Sequence, residues 1–327
     1  MAPRPLQPSH QFIGGNLATN AGGPSCLKYG VTRHWVLGVR AVLGTGKEIR
    51  TGSLSHKDVA GYDLTGLLVG SEGTLGILTE ATLRLAPIPE ARGTVVATFP
   101  SLEDAALAVQ QVRQAGITPE AMEFMDGATL SAVDDAFSLG LQNVQALLLV
   151  GLSGHRLAVA QETQDVYRLL EKGSLRVDLG LEKNEIERLW LARRSAFGSL
   201  ARRAGNLWVE DISVPLSSLA TMVRKIDLIA QKHDLLVATL GHAGDGNLHP
   251  QFSLRGEPDE EDRIKEAIEE IVSLAVSLGG TLTGEHGVGQ EKRDLLPSAL
   301  DQGAYKTMEE IKKVFDPLGI MNPGKVL

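Results

Sequence analysis

The sequence predicts an α+β protein whose larger part is two β-α-β-β-α-β units sharing one antiparallel sheet. Three observations lead there. The texture changes near Pro87 and Pro89, from Gly-rich with short β-type runs to strands alternating with longer helices. Beyond that point the order strand, helix, strand, strand, helix, strand occurs twice without detectable sequence repetition, which suits ferredoxin-like units side by side. Finally, Asp245-Gly246 lies between two apolar runs, a hairpin signal, because Gly accepts the positive φ of a tight turn.

Taken in order, the first segment offers β-type runs at Trp35–Leu43, Leu67–Val69 and Leu75–Leu85, the last alternating as a half-buried strand does. Thr94–Phe99 reads as a strand. Ser101 and Asp104 then start a helix that ends near Gly116. Ala121–Met125 and Gln145–Leu152 read as strands around a short helix, followed by helices Arg156–Leu170 and Glu182–Arg203. The second unit comprises strand Leu207–Val214, helix Leu216–His233, strands Leu235–Gly241 and Asn247–Leu254, helix Pro258–Leu278, and a strand near Thr281. A final amphipathic helix, Tyr305–Phe315, leads to a tail containing Pro317 and Pro323. The expected division is therefore 1–88, 89–292 and 293–327.

A chain of 327 residues can bury a sizeable core and hold more than one domain. Its net charge of -8, with 32 basic and 40 acidic residues spread along the chain, carries no nucleic-acid footprint. The single cysteine, Cys26, excludes an intramolecular disulfide and suits a reducing cytosol. No apolar run approaches the ~20 residues of a membrane span. Met1–His10 lacks the basic and apolar regions of a signal peptide, so the expectation is a cytoplasmic protein.

The stretch Gly241-His242-Ala243-Gly244-Asp245-Gly246-Asn247-Leu248-His249 is answered by Gly284-Glu285-His286-Gly287. On a helix, imidazoles seven residues apart would sit about 10 Å apart along the axis. On one straight strand they would be farther apart and on opposite faces. A hairpin brings both rings to one point. Two imidazoles and one carboxylate form a three-ligand site with an open position, as a catalytic Zn²⁺ or similar divalent ion uses. Glu285 is the natural third ligand, leaving His286 for proton transfer. An isolated His is ordinarily a structural residue; three of the eight His in two short Gly-rich segments form a different pattern.

Gly14–Gly23 and Gly70–Ile77 are the other suggestive stretches, since backbone N–H groups in Gly-rich loops can cradle phosphate or flank a planar cofactor. Gly44-Thr45-Gly46-Lys47 is no nucleotide loop, because Glu48 stands where Ser or Thr would bind Mg²⁺.

Together these motifs resemble the FAD-linked D-2-hydroxy-acid dehydrogenases and oxidases of the vanillyl-alcohol-oxidase type, which include D-lactate dehydrogenase and the flavin subunit of glycolate oxidase. The resemblance runs through Gly14–Gly23, Tyr29-Gly30, Gly61–Gly66, Val69–Ile77, Gly241–His249, Thr283–Gly289 and Met321–Lys325. It implies that 1–88 is the C-terminal part of an FAD-binding domain, that 89–292 is a cap, and that 293–327 returns to the FAD domain. It implies FAD contacts from Gly14, Gly15, Asn16, Thr19, Asn20, Gly22, Gly23, Tyr29, Gly30, Glu72, Gly73, Gly76, Ile77 and Asn322. It likewise implies a divalent metal, Zn²⁺ foremost with Mn²⁺ or Fe²⁺ as alternatives, on His242, His249 and Glu285. His286 would be the catalytic base and Arg193 the substrate-binding residue; the rival reading of Arg193 is a solvated face shared with Arg194, Arg202 and Arg203.

The implied reaction is oxidation of a small D-2-hydroxy acid, D-lactate or glycolate, to its 2-oxo acid. Val209 stands where D-2-hydroxyglutarate dehydrogenase carries a Lys, which argues against a second substrate carboxylate. Phe12 stands where relatives commonly carry Thr. The match begins partway into the family's FAD domain, without the upstream loop that holds the pyrophosphate. A truncated, non-catalytic relative, a metal-binding cap with an incomplete flavin site acting as a subunit or fragment, is therefore the alternative. Alkyl-transfer flavoenzymes of the same scaffold carry a run of His where Glu285-His286 stands, which disfavours them. The partners implied are the hydroxy acid, an electron acceptor after the flavin and subunits of a glycolate oxidase complex, with peripheral attachment at the inner membrane allowed.

Overall fold

The computed structural model describes residues 12–55, 57–141 and 143–327. The stretch Met1–His10, read above for a leader, lies outside the described residues. Contacts divide the chain into two compact units, 1–88 with 282–327, and 89–281.

The first unit opens with helices α1 (Ile13–Thr19) and α2 (Cys26–Tyr29). Strands β1 (Val36–Val42) and β2 (Glu48–Gly52), helix α3 (Leu64–Leu68) and strand β3 (Ile77–Leu83) follow. The strands make a three-stranded sheet in the order β2-β1-β3 over a small core of Leu17, Val39, Ala41, Leu68, Val69 and Leu75. Leu67–Val69, expected as a strand, lies on and just beyond α3. A short apolar run is ambiguous in periodicity; here Asp63 caps the helix by accepting the Gly66 N–H at 2.7 Å.

The second unit contains β4 (Ala91–Phe99), α4 (Leu102–Gln114), β5 (Ala121–Asp126), α5 (Gly127–Phe137), β6 (Ala146–Gly154), α6 (Arg156–Glu171) and β7 (Arg176–Gly180). Then come α7 (Lys183–Ala204), β8 (Asn206–Val209), β9 (Ile212–Ser213), α8 (Leu219–Lys232), β10 (Val237–His242), β11 (Asn247–Leu254) and α9 (Glu260–Ser277). All eight strands form one sheet in the order β7-β4-β6-β5-β10-β11-β8, with β9 also paired to β11. The four strands at one end read β7-β4-β6-β5, the ferredoxin-like order, and Thr281 bridges Ser213 at the far edge to complete its counterpart. The two halves join where β5 pairs antiparallel with β10. Thus the doubled α+β architecture is present, built on antiparallel pairing throughout.

Strand alternation assigns the helices to faces. Trp190 of α7 donates to Thr94, while the backbone at the adjacent Gly93 lies against Val159 and Thr163 of α6. Helices α6 and α7 therefore cover opposite sides of the sheet. α5 and α7 share a core with Met125, Leu149 and Leu240. Strand β2 was not anticipated, and β7, the strand that closes the first β-α-β-β-α-β order, had been given no residues; both are short and carry charged residues. The run 207–214 was expected as one strand but breaks at Glu210-Asp211. Opposite the break stands Pro250, which has no N–H to give the ladder, and the Asp211 N–H goes instead to Glu210 Oε1 at 2.9 Å.

From Leu282 onward the chain belongs to the first unit. This stretch holds the loop 282–292 and helices α10 (Leu296–Ala299) and α11 (Gln302–Phe315). Residues 282–292 were expected with the cap. Instead Glu72 accepts the N–H groups of Val288 and Gly289, and Lys292 Nζ donates to Leu282 O at 2.8 Å. Among the described residues no helix is long and apolar enough to cross a membrane.

Candidate functional site

In the second unit the site is built on the β10–β11 hairpin. Its turn holds Gly246 at φ 80°, where a Cβ would lie 2.0 Å from Val214 O, so only Gly fits. The register sets His242 opposite Asn247, Leu240 opposite His249 and Ala238 opposite Gln251. Directly opposed residues share a face, so both His project from the side that α7 covers. Their rings lie 5.3 Å apart, nearly perpendicular at 85°, and the residues are only 4% and 5% exposed.

The register also extends the row across the junction of the two halves, because His242 stands opposite Glu123 of β5. Glu123 is fully buried, and its Oε1 and Oε2 lie 2.7 and 2.9 Å from His242 Nδ1. Its Oε2 also accepts Arg193 Nε at 2.7 Å. Burial pushes the Glu123 carboxyl upward, but electrostatic attraction to His242 and Arg193 and the hydrogen bonds from both outweigh it. The result is a pKa below the ordinary glutamate value. Arg193 is 4% exposed, whereas Arg194, Arg202 and Arg203 are exposed, so the solvated-face reading of Arg193 fails. The apolar turns of α7, with Ala192, Ala196 and Leu200 in the core, carry its guanidinium inward.

On the other flank Asp211, wholly buried, accepts Asn247 Nδ2 at 2.6 Å and lies 3.8 Å from His249 Nδ1. The carboxamide of Gln251, 1% exposed, has its Oε1 buried without a hydrogen-bond partner among the described residues. Glu123, Asp211 and Asn247 were not singled out from the sequence. A signal existed for two of them: an acid inside a buried apolar strand must find a partner. Both Ala121–Asp126 and the run around Ile212 contain one.

The residues expected to meet FAD gather in the first unit. Gly14 and Gly15 lie in the first turn of α1 rather than in an open loop, since Asn16 N already bonds Phe12 O. Thr19 turns its hydroxyl back to Gly15 O at 3.3 Å. The chain beyond Asn16, Asn20 and the 70–77 loop is knit to this helix. Ala21 N donates to Asn16 O, Gly70 N to Leu17 O and Glu72 N to Ala18 O. Asn322 Nδ2 reaches Glu72 O at 2.5 Å and stands beside Gly73. Asn20, Glu72 and Asn322 all adopt left-handed φ. Gly76 passes close to Val42 O, and Ile77, 60% exposed, begins β3. Tyr29 packs on Trp35 with the rings tilted at 59° and centroids 6.1 Å apart, and Gly30 is pressed against His34.

Glu285 and His286 are also in this unit, with His286 Nε2 4.0 Å from Glu285 Oε1. The Glu285 carboxylate approaches Gly22, where a Cβ would stand 3.1 Å from Oε2. Among the described residues nothing lies within 4 Å of a Cβ placed at Gly14, Gly15 or Gly23, which leaves the backbone there approachable by a ligand. That suits a planar, anionic cofactor. Two buried imidazoles suit a divalent transition ion, because the carboxylate on Nδ1 of His242 leaves Nε2 as a lone-pair donor.

Comparison with known proteins follows the same division. The family described as "FAD linked oxidases, C-terminal domain" matches residues 88–326, and "FAD binding domain" matches residues 1–52. Glycolate oxidase subunit GlcD of Bacillus subtilis is 43% identical over 99% of this chain and 70% of its own length. The mitochondrial D-lactate dehydrogenase [cytochrome] of Arabidopsis thaliana is 35% identical over 99% of this chain and 58% of its own. The chain thus spans roughly two thirds of such relatives. In fold it is similar to p-cresol methylhydroxylase, with TM-score 0.73 and 17% identity over 96% of this chain and 68% of that one. With the antiparallel doubled sheet and the matched C-terminal domain both in place, the chain belongs to the FAD-linked oxidase family.

Proposed function

We propose that this chain oxidises a small D-2-hydroxy acid, D-lactate or glycolate, to the corresponding 2-oxo acid. The observation that carries the reading is the buried array His249, His242, Glu123 and Arg193, with one carboxylate serving both a metal-type imidazole and a guanidinium. In this reading His242, His249 and Glu285 hold a divalent cation, Zn²⁺ in the first instance, and the loops around α1, Glu72 and Asn322 hold FAD. When bound, the cation polarises the substrate's hydroxyl and carboxylate oxygens, and the flavin serves as the two-electron acceptor.

The chain's own residues do the rest. Arg193 pairs with the substrate carboxylate, its planar fork matching the two oxygens. His286, half exposed, takes the hydroxyl proton as an imidazole general base. Val209 stands opposite Gln251 in the β8–β11 pairing and offers no charge to a second carboxylate, which supports a monocarboxylate substrate. The relatives named as glycolate oxidase subunits support a further expectation. The chain works with partner subunits that pass electrons on, in the cytoplasm or peripherally at the inner membrane.

Flavin absorbance tests the reading. Protein that is yellow, or becomes so with added FAD, and that is bleached by D-lactate or glycolate supports it. Protein that stays colourless with added FAD, while still binding metal, sinks it in favour of a non-catalytic, metal-binding relative.

A further inference from the structure

Glu123 lies 119 residues from His242 and 70 from Arg193 in the chain, yet it touches both through one carboxylate. We propose that Glu123 is a positioning residue that presents His242 to the metal and Arg193 to the substrate carboxylate in one fixed arrangement. The inference rests on the roles given to His242 and Arg193 above and adds what makes those roles possible.

The placement is set by backbone. Glu123 and His242 are directly opposed across β5 and β10, in the middle of an eight-stranded sheet, so their separation cannot drift with a flexible stem. Glu123 is fully buried on the face of β5 that it shares with Met125 of the α5–α7 core, where an unpaired carboxylate would not be tolerated. Both of its oxygens are engaged by His242 and Arg193.

The chemistry then follows from what each group can donate. A carboxylate only accepts, so the hydrogen facing it sits on Nδ1 of His242. Nε2 is left with the lone pair that metal ligation needs, and the ring plane is held by two oxygens rather than one. The same carboxylate takes the Nε–H of Arg193, which leaves the terminal Nη edge of the guanidinium for a second carboxylate. Replacing Glu123 by Gln keeps the shape but presents an NH₂ where an acceptor is required. His242 Nδ1 and Arg193 Nε would then compete for a single oxygen, and the favoured escape is the Nε2–H tautomer, which blocks the metal.

The test uses the full chain, stripped of metal by chelator and titrated with Co²⁺, as wild type and as Glu123→Gln, Glu123→Asp and His242→Ala. Circular dichroism monitors folding, and long-range ¹H–¹⁵N spectra read the tautomer of His242 without metal. The expected results are an Nδ1–H tautomer in wild type and Co²⁺ affinity weakened about 10–100-fold in Glu123→Gln. Glu123→Asp, which keeps the charge, should recover part of that affinity. If Glu123→Gln does not fold, the wild-type tautomer and Glu123→Asp decide: an Nε2–H tautomer, or Co²⁺ affinity in Glu123→Asp equal to wild type, overturns the proposal. So does unchanged affinity in a folded Glu123→Gln when His242→Ala has lost binding. Wild-type protein that takes up no Co²⁺ overturns the metal reading itself, and the positioning role with it.

Discussion

The carboxylate of Glu72 accepts the backbone N–H of Val288 at 2.8 Å, with a second bond of the same length from Gly289. Glu72 itself sits at φ 51°, and its carbonyl receives Asn322 Nδ2. One residue therefore fastens the loop that carries Glu285 and His286 to the C-terminal tail. Glu72→Ala should leave two N–H groups of that loop unpaired, at roughly 1–3 kcal/mol each to the extent that they stay buried. Hydrogen exchange at 283–289 should rise while exchange in β10 and β11 is unchanged. Equal exchange in the mutant would show that the clamp is not needed.

His286→Ala should cut turnover of D-lactate or glycolate by ~10²-fold or more in flavin-loaded protein, as loss of a general base does. Metal content per chain should stay at the wild-type level. Steady-state turnover equal to wild type would remove His286 from the reaction.

Gly246→Ala should destabilise the hairpin, since Ala would need φ near 80° and a Cβ against Val214 O. A non-Gly residue at such a φ costs on the order of 1–3 kcal/mol before any clash is counted. A melting temperature matching wild type, with metal binding intact, would refute this account of the turn.

Asp126 provides the pH dependence. Its carboxyl accepts Thr129 N and Thr239 N, yet burial pushes its pKa up to about 6 from 3.8. Between those values the folded chain holds a proton that the unfolded chain has lost. The group's stabilising contribution is therefore complete below pH 3.8 and lost as pH rises through about 6. The whole swing is about 3 kcal/mol. Asp126→Asn, neutral throughout, should flatten this slope in denaturant titrations between pH 4.5 and 7.5. It should be less stable than wild type at the acid end and gain on it toward neutrality. An unaltered slope would assign the pH dependence elsewhere.

Removal of metal by chelator should lower the melting temperature, and Zn²⁺ or Mn²⁺ at about 100 times its Kd should restore about 2.7 kcal/mol. His249→Ala should abolish the response. A chelator-insensitive wild type would leave the His pair without a ligand to explain it.

The chain's local chemistry was legible in order. Two His seven residues apart around Asp245-Gly246, between apolar runs, dictate a hairpin with both rings on one side, because strand alternation and glycine φ act over a few residues. Ser101 and Asp104 likewise mark the start of α4, where the Ser101 hydroxyl accepts Asp104 N at 3.0 Å. Short apolar stretches were less decisive: Leu67-Leu68 became helical once Asp63 capped it, and Gly14-Gly15 entered α1 instead of staying a loop.

Only the tertiary structure decided which groups answer those local motifs. Glu123 for His242 and Arg193, and Glu72 for Val288, are partners separated by 119, 70 and 216 residues. No spacing rule reaches that far, because such pairs are selected by sheet register and by the need to satisfy a buried charge. The sequence by itself determined the turn, the caps and the kinds of side chain at the site. The order of strands β5 and β10 in the sheet decided that an otherwise unremarked glutamate would stand beside the histidine.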